Sequence, residues 1–253
     1  MQFVRDTLLI YRRSMRLSMR VPIWMVMSLV QPVMYLVLFG PLLKRVAQTP
    51  GFPPGNAWQV FVPGLLVQLG IFGTLFVGFG LIDEIRSGVI ERMRVSPISR
   101  VALLTGKVLR DATVLLVQAT ILTLLAVPFG LTVTWQAVVG GLVIVALLGI
   151  TFACTSYAIA MVTKEEDALV GVLNFFAAPL LLLSGILLPM SLAPRWLRHV
   201  ASVNPISHVV EGLRALFHGS LATSTVAWAF AVSIAMAAVA IFLAGRTFRS
   251  ENA

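Results

Sequence analysis

The sequence predicts an all-α membrane protein, and three observations support that fold class. Six long runs without Asp, Glu, Lys or Arg divide the 253-residue chain. The composition is 58% hydrophobic and only 11% charged, with a mean hydropathy of +0.95. The net charge of +9 lies between the runs rather than within them. A helix needs about 20 apolar residues to cross the hydrocarbon core, and lipid requires every backbone polar group to pair inside the protein.

The runs predict six transmembrane helices in one domain that covers residues 21–253. They span residues 21–43, 60–82, 112–131, 137–163, 168–190 and 226–245. The buried helical core of a soluble protein would need polar faces toward solvent, and these runs have none. Transmembrane strands would be about half as long and would alternate in polarity.

Residues 1–20 precede the first run and predict an amphipathic helix at the membrane surface. Their arginines recur every four residues, and their apolar residues recur at spacings of four and three. The arginines are Arg12, Arg16 and Arg20, and the apolar residues are Val4, Leu8, Tyr11, Met15 and Met19. Such a helix lies in the interface with its cations toward anionic lipid. The simpler alternative is a positively charged topology anchor, and both interpretations are compatible.

The basic residues predict the orientation of the chain. Fourteen of the nineteen Lys and Arg residues fall in segments that are cytoplasmic if the N-terminus lies inside. Cytoplasmic loops carry such an excess, so we expect both termini in the cytoplasm. Because topology accounts for the positive charge, nucleic-acid binding is not needed to explain it. The excess of 16 Arg over 3 Lys is typical of a GC-rich bacterial genome, and the expected location is the bacterial cytoplasmic membrane.

The runs contain no ionisable residue that could form a proton or ion relay, which disfavours ion-coupled transport. An intramembrane lipid enzyme should contain a buried Asp, His or Glu constellation, and this chain shows none. The chain also lacks a phosphate-binding loop, because Lys107 is followed by Val108 and Val101 stands where the first glycine would be. We therefore assign no catalytic residue, metal or cofactor to this chain, and expect its energy from a separate ATPase.

The loop after the second run predicts the surface on which an ATPase would act. Gly88 permits a sharp backbone change, and Pro97 ends a short amphipathic helix that follows it. A rigid helix across the cytoplasmic mouth could transmit a push, whereas an ordinary solvated basic loop is the simpler alternative. The candidate coupling residues are Glu84, Arg86, Gly88, Glu91, Arg92, Pro97 and Arg100.

This segment resembles the signature of the type-2 ATP-binding-cassette exporter permeases: an acidic pair, a basic residue, Gly, Glu, then Pro and a basic residue. Val89-Ile90 departs from the Thr-Leu that is common there. A second match begins at Asn204-Pro205 and ends at Arg214. The order of elements is similar to that of the daunorubicin-resistance-type permeases of actinobacteria. The resemblance implies a dimer of permeases, identical or not, with two ATPase subunits that bind ATP and Mg²⁺.

The segment after the fifth run predicts a short helix at the outer surface, preceded by a turn at Asn204-Pro205. Glu211 and Arg214 are three residues apart and could pair. The resemblance implies re-entrant helices that close an outer gate, and a merely solvated interfacial helix is the alternative. The candidate gate residues are Asn204, Pro205, His208, Glu211 and Arg214.

Aromatic and amide side chains in the second and fifth runs are candidates for a substrate path. They are Gln68, Phe72, Phe76 and Phe79, with Asn174 and Phe175. The resemblance implies that these two spans line the dimer interface, where such side chains would suit a large, flat, amphipathic molecule. The alternative is that the rings face lipid.

The leading function is the permease subunit of an ATP-driven exporter for a hydrophobic drug, antibiotic or lipid. Export of a polyprenyl-linked glycan is the alternative within transport. A membrane enzyme or scaffold is the alternative from another class, although a passive scaffold would not need the coupling loop. Membrane lipid, substrate, ATPase and a second permease are the expected partners.

Overall fold

Helices account for all the regular structure that the computed structural model describes, which covers residues 2–46, 56–89, 99–186 and 193–250. These residues form ten α-helices and no strand. The helices are α1 (Gln2–Arg20), α2 (Ile23–Val46), α3 (Ala57–Leu75), α4 (Gly78–Arg86), α5 (Arg100–Ala126), α6 (Trp135–Thr163), α7 (Glu166–Leu183), α8 (Arg195–Val203), α9 (Pro205–Phe217) and α10 (Ser224–Ser250).

Five segments are long and apolar enough to cross a membrane, which confirms the predicted all-α membrane fold. They are Ala57–Arg86, Val101–Ala126, Trp135–Thr163, Glu166–Leu183 and Ser224–Phe248. A sixth span follows if Phe3–Arg20 and Met25–Phe39, which are bent by 68° against each other, form one broken segment. Length and composition therefore support five or six spans. The first predicted run falls within α2 apart from its first two residues.

Helix α5 departs most from the charge-free run that predicted it. It begins at Arg100, well before residue 112, because the Ser99 Oγ accepts the Ala102 N–H at 3.1 Å and caps the first turn. The third span and the basic segment before it are therefore one helix. Helix α7 ends at Leu183, before the predicted end at residue 190.

Helix α6 is the centre of the bundle. It packs against α3, α4, α5, α7, α9 and α10, and its Ile144 and Tyr157 side chains are fully buried. Helices α7 and α10 lie further out, since only 17% and 28% of their spans are buried within the chain, against 56% for α6. The outward faces of α7 and α10 therefore remain for lipid or another subunit.

The second span is broken between α3 and α4. Residues Phe76 and Val77 separate the two helices, and the Ser156 Oγ of α6 accepts the Gly78 N–H at 2.9 Å. A Cβ at Gly78 would lie 2.7 Å from that same hydroxyl, so only glycine allows the break to approach α6 this closely. The serine thus satisfies one backbone donor freed by the break.

Helix α1 packs against α5 through one narrow face. Ile10 is buried there, and a Cβ at Gly106 would collide with it. The predicted apolar stripe is a different face, because Val4 and Met19 are 68% and 67% exposed. This leaves an apolar surface toward the surroundings, as an interfacial helix requires.

Candidate coupling, path and gate residues

The predicted coupling residues begin at the end of α4. Gly88 has φ of 68°, a left-handed conformation that glycine adopts without steric cost, so the predicted backbone change is present. Arg86 Nη1 lies 2.8 Å from Glu166 Oε1 of α7, and both side chains are about half exposed. Arg100 starts α5. Three other candidates lie outside the described residues, namely Glu91, Arg92 and Pro97.

Glu84, another coupling candidate, faces the interior of the bundle. Its Oε2 lies 2.6 Å from the Nζ of Lys107, and the two side chains are 18% and 5% exposed. A carboxylate in this position stabilises a buried ammonium group. Glu84 therefore connects α4 to α5 through a largely buried ion pair.

A second ion pair continues this network one turn further along α5. Arg110 Nε lies 3.1 Å from Asp111 Oδ1, and Arg110 Nη1 donates to the Ser18 Oγ of α1 at 3.0 Å. The Tyr157 hydroxyl of α6 donates to Asp111 Oδ2 at 2.5 Å. We call Glu84, Lys107, Arg110, Asp111 and Tyr157 the inner cluster. It connects α4, α5 and α6 directly and reaches α1 through Ser18.

The inner cluster corrects two expectations from the sequence. The candidate span Val101–Ala126, defined by length and composition, contains Lys107, Arg110 and Asp111, so the helix that carries the third run includes ionisable residues although the run itself does not. A buried constellation of charged groups is also present, because Lys107 and Asp111 are each 4% exposed. The signal was available in the sequence: these residues lie three and four apart, and the Ser99 cap places them on the same helix as the apolar run.

The geometry of the inner cluster indicates a structural role, in which its side chains connect helices, and not a catalytic role. Both oxygens of Asp111 are occupied, one by Arg110 and one by Tyr157. The carboxylate of Glu84 is held by Lys107. A general acid or base needs a proton-transfer contact with substrate, whereas these carboxylates bind neighbouring side chains.

The path candidates divide into a buried set and an exposed set. Gln68 is only 2% exposed, while Phe72, Phe76 and Phe79 are half-buried. The Phe76 ring, in the α3–α4 break, stacks with the Phe79 ring at the start of α4, with centroids 6.0 Å apart. Asn174 is exposed and Phe175 is 74% exposed on α7. Two aromatic surfaces therefore face outward, while Gln68 lies in the core of the chain.

At the end of the bundle opposite the inner cluster, α8 and α9 are two short helices joined at Asn204. The Asn204 Oδ1 accepts the Ile206 N–H at 3.0 Å, and Pro205 occupies the first turn of α9, so the predicted turn is present. His208 Nε2 lies 3.0 Å from the Ser202 carbonyl of α8. Glu211 is exposed. Neither helix is among the segments long enough to cross a membrane.

Arg214 is buried, and its hydrogen-bond partners differ from the predicted one. Instead of Glu211, its guanidinium donates to three backbone carbonyls: Val60 at 2.9 Å, Gly185 at 2.7 Å and Ile186 at 3.3 Å. Burial lowers the pKa of Arg214 to about 10, and the charge of Glu211 opposes this shift. The guanidinium therefore stays protonated at neutral pH.

We call Arg214 and its three carbonyl acceptors the outer joint. It connects α9 to α3 and to the chain that follows α7. The acceptors come from segments 154 and 28–29 residues away in sequence. No local spacing rule could have identified them.

Comparison with known proteins agrees with this architecture. The pattern of the ABC-2 type transporter family matches residues 5–218, from α1 through α9. The chain belongs to the ABC-2 type transporter family. It is 26% identical over 243 residues to the daunorubicin resistance ABC transporter permease protein DrrB1 of Streptomyces coeruleorubidus, covering 95% of this chain and 85% of that protein.

Other relatives of this ABC-2 chain are also permeases by name. The probable doxorubicin resistance ABC transporter permease protein DrrC of Mycobacterium tuberculosis is 24% identical over 220 residues, 86% of this chain and 78% of that protein. The probable multidrug ABC transporter permease YbhR of Escherichia coli K12 is 27% identical over 163 residues, 61% of this chain and 42% of that protein. The predicted family is thereby confirmed, and membership implies a separate ATPase.

Among the described residues of this ABC-2 permease, no group of three or more His, Cys, Asp or Glu side chains could hold a metal ion. Cys154 is free and buried, as expected for a small core residue.

Proposed function

We propose that this chain is the permease subunit of an ATP-driven exporter that moves a hydrophobic drug, antibiotic or lipid out of a bacterial cell. The similarity to DrrB1, which extends over 95% of the chain, carries the proposal. The active assembly has two permease copies and two copies of a separate ABC ATPase. ATP and Mg²⁺ bind on the ATPase, since this chain has no phosphate-binding loop of its own.

The proposed location is the bacterial cytoplasmic membrane, with both termini inside. The excess of basic residues in the inner segments supports this orientation. The packing is consistent with it, because α1, the end of α4 and the start of α5 lie together. Arg214, at the other end, lies close to the start of α3 and the end of α7.

In this assembly the 83–100 segment docks on the ATPase. The exposed pair of Arg86 with Glu166 would hold the segment against α7, and Gly88 would set its direction. Replacing Glu91 with Arg should abolish co-purification with the ATPase or uncouple hydrolysis from transport, because an ion pair becomes a like-charge contact. The Glu211→Arg variant is the matched control for co-purification, since that exposed carboxylate lies at the opposite end of the bundle.

Transport direction is tested in cells that express the permease with its ATPase. Accumulation of a fluorescent hydrophobic dye should fall when the ATPase is active and recover when its hydrolysis is blocked. Accumulation that rises with ATPase activity would contradict export. Unchanged co-purification and hydrolysis in Glu91→Arg would contradict the docking surface alone.

The substrate path is placed at the dimer interface, along the outward aromatic surfaces of α3, α4 and α7. A ring that contacts substrate contributes about 1–3 kcal/mol through buried apolar area, roughly a tenfold change or more in apparent affinity. Phe76→Ala should therefore change which substrates stimulate ATP hydrolysis. Phe242→Ala is the control, since Phe242 is 67% exposed on α10, away from the proposed path.

Crosslinking gives an independent test of the same path. In a Cys154→Ser background, Phe76→Cys should give a symmetric crosslinked dimer, and Phe242→Cys should not. If Phe76 changes neither the substrate profile nor the crosslinking, its ring faces lipid.

A further inference from the structure

A cavity of about 80 Å³ lies beside the inner cluster, between α1, the α3–α4 break and α5. Its walls are Ser14, Leu17, Ser18, Val77, Gly80, Glu84, Lys107 and Arg110. One water needs about 10–15 Å³ of such volume. The cavity therefore has room for several waters or for one phosphate group.

The cavity wall has more hydrogen-bond donors than acceptors. The ammonium of Lys107 can donate three hydrogen bonds, and Glu84 is its one acceptor among the described residues. Ser14 lines the cavity and is 8% exposed, and its hydroxyl is a further candidate donor. Arg110 Nη1 donates to the Ser18 Oγ, whereas its Nε, although 3.1 Å from Asp111 Oδ1, is buried without a hydrogen-bond partner in the described part of the chain. The other N–H groups of its planar fork are further donors. Buried donors without acceptors are unfavourable, so the wall favours a ligand that accepts hydrogen bonds.

The charge of the site limits the class of ligand. Lys107 and Arg110 are balanced by Glu84 and Asp111, so the fixed charge is neutral when all four groups are ionised. A free phosphate with nearly two negative charges would leave the buried site strongly negative. A phosphodiester brings one negative charge with its acceptor oxygens, and in a zwitterionic headgroup an amine compensates even that charge.

The surroundings of the cavity indicate where such a phosphodiester comes from. Leu17 lines the cavity and is 47% exposed. It lies on α1, whose Val4, Leu8 and Met19 side chains are also exposed. An apolar helix surface next to polar donors matches the boundary between acyl chains and headgroups.

We propose that this cavity binds the phosphodiester of a zwitterionic phospholipid from the inner leaflet. Lys107, Ser14 and Arg110 donate to the phosphate oxygens, and the acyl chains follow the exposed face of α1. Glu84 is placed to accept from the headgroup amine. The site goes beyond the proposed export function, because it lies behind the α3–α4 break rather than on the aromatic surfaces assigned to the path.

Native mass spectrometry of the full-length permease in mild detergent tests the site. Three probes are titrated: dioleoylphosphatidylethanolamine, dioleoylglycerol with the same chains and no phosphate, and sodium phosphate. We expect one phosphatidylethanolamine bound per chain, and at least tenfold weaker binding of dioleoylglycerol. Equal binding of dioleoylglycerol would overturn the proposal. Displacement of the lipid by millimolar sodium phosphate would assign the site to the free anion and overturn the lipid source.

Gly80 permits a variant that places a larger side chain at the cavity wall. It lines the cavity, and a Cβ there would meet nothing within 4 Å. Gly80→Leu should weaken phosphatidylethanolamine binding at least tenfold. Gly171→Leu is the matched control, because a Cβ at Gly171 on α7 also meets nothing within 4 Å, far from the cavity.

A second variant covers the case in which Gly80→Leu fails to fold. Ser14→Ala removes one candidate donor and adds no volume, and it should weaken binding about threefold, in line with one net hydrogen bond. Unchanged lipid binding in Ser14→Ala, together with unchanged binding in any folded Gly80→Leu protein, would overturn the proposal.

Discussion

The inner cluster and the outer joint hold buried cations by opposite means. At the inner end, Lys107 and Arg110 each face the carboxylate of another side chain. In the outer joint, Arg214 donates to three backbone carbonyls and forms no ion pair with a carboxylate of the described residues. Both arrangements connect helices that are distant in sequence. They differ in the number of side chains on which the contacts depend.

This difference predicts different sensitivity to substitution. In the inner cluster each cation has one carboxylate as its ion-pair partner, and removing that carboxylate leaves an uncompensated buried charge. In the outer joint the acceptors are main-chain groups, which remain whatever side chains Val60 or Ile186 carry. The inner cluster should therefore be sensitive at every member, and the outer joint at Arg214 alone.

The largest effect is expected from Asp111→Ala. The substitution leaves the Arg110 guanidinium and the Tyr157 hydroxyl without their shared acceptor, and breaking a buried pair in this way costs about 3–5 kcal/mol. The free energy of unfolding, measured by denaturant titration in detergent with tryptophan fluorescence, should fall by that amount. A loss below about 1 kcal/mol, the value typical of an exposed pair, would contradict the inner cluster.

Tyr157→Phe tests a single hydrogen bond of the inner cluster and should have a smaller effect on the free energy of unfolding. It removes one hydrogen bond to a charged group, a loss of about 1.5–3 kcal/mol, while the Arg110–Asp111 pair remains. The Glu84→Met/Lys107→Met double variant is the complementary control. It removes both charges of a pair, so most of the loss caused by Lys107→Met alone should be recovered.

An intermediate effect is expected from Arg214→Lys at the outer joint. Lysine keeps the charge but lacks the planar fork that reaches several acceptors at once. The carbonyls of Gly185 and Ile186 then lose their donor, at a cost of about 1–3 kcal/mol. Glu211→Gln is the control and should change the free energy of unfolding by less than about 0.5 kcal/mol, as exposed positions generally do. A larger loss of unfolding free energy in Glu211→Gln than in Arg214→Lys would contradict the outer joint and favour the local pair of Glu211 with Arg214.

Sequence reasoning succeeded where local chemistry decides the structure. The charge-free runs indicated the spans, Gly88 indicated a backbone change, and Asn204-Pro205 indicated a helix start. Each depends on conformational preferences of a few adjacent residues, or on the length of hydrocarbon to be crossed. The family could also be recognised, because its motifs are short and contiguous.

Sequence reasoning failed where tertiary packing determines the hydrogen-bond partner of a residue. The charge-free criterion placed the start of the third span just after Asp111. The helix in fact begins at Arg100, after its cap at Ser99. The spacing of Glu211 and Arg214 suited a local pair, but the bundle offered Arg214 a backbone carbonyl 154 residues away. The break at Gly78 depends on Ser156 of another helix. A single sequence carries no direct signal for such contacts.

The smallest effect on stability is expected from the exposed pair of Arg86 and Glu166, which separates burial from pairing. Its 2.8 Å contact is similar in length to that of Glu84 with Lys107, but its side chains are 55% and 47% exposed. Exposed pairs contribute about 0–1 kcal/mol because water screens them. A double-mutant cycle with Arg86→Ala and Glu166→Ala should therefore give a coupling energy of at most about 1 kcal/mol.

The same cycle separates stability from coupling at the inner face. If Arg86 directs the 83–100 segment toward the ATPase, Arg86→Ala should lower transport per ATP hydrolysed while the free energy of unfolding barely changes. The charge-swapped variant Arg86→Glu/Glu166→Arg should restore much of that transport, because it restores the ion pair between α4 and α7. A coupling energy of about 3 kcal/mol or more, the size expected when a buried pair is broken, would show that exposure does not distinguish this pair from the inner cluster.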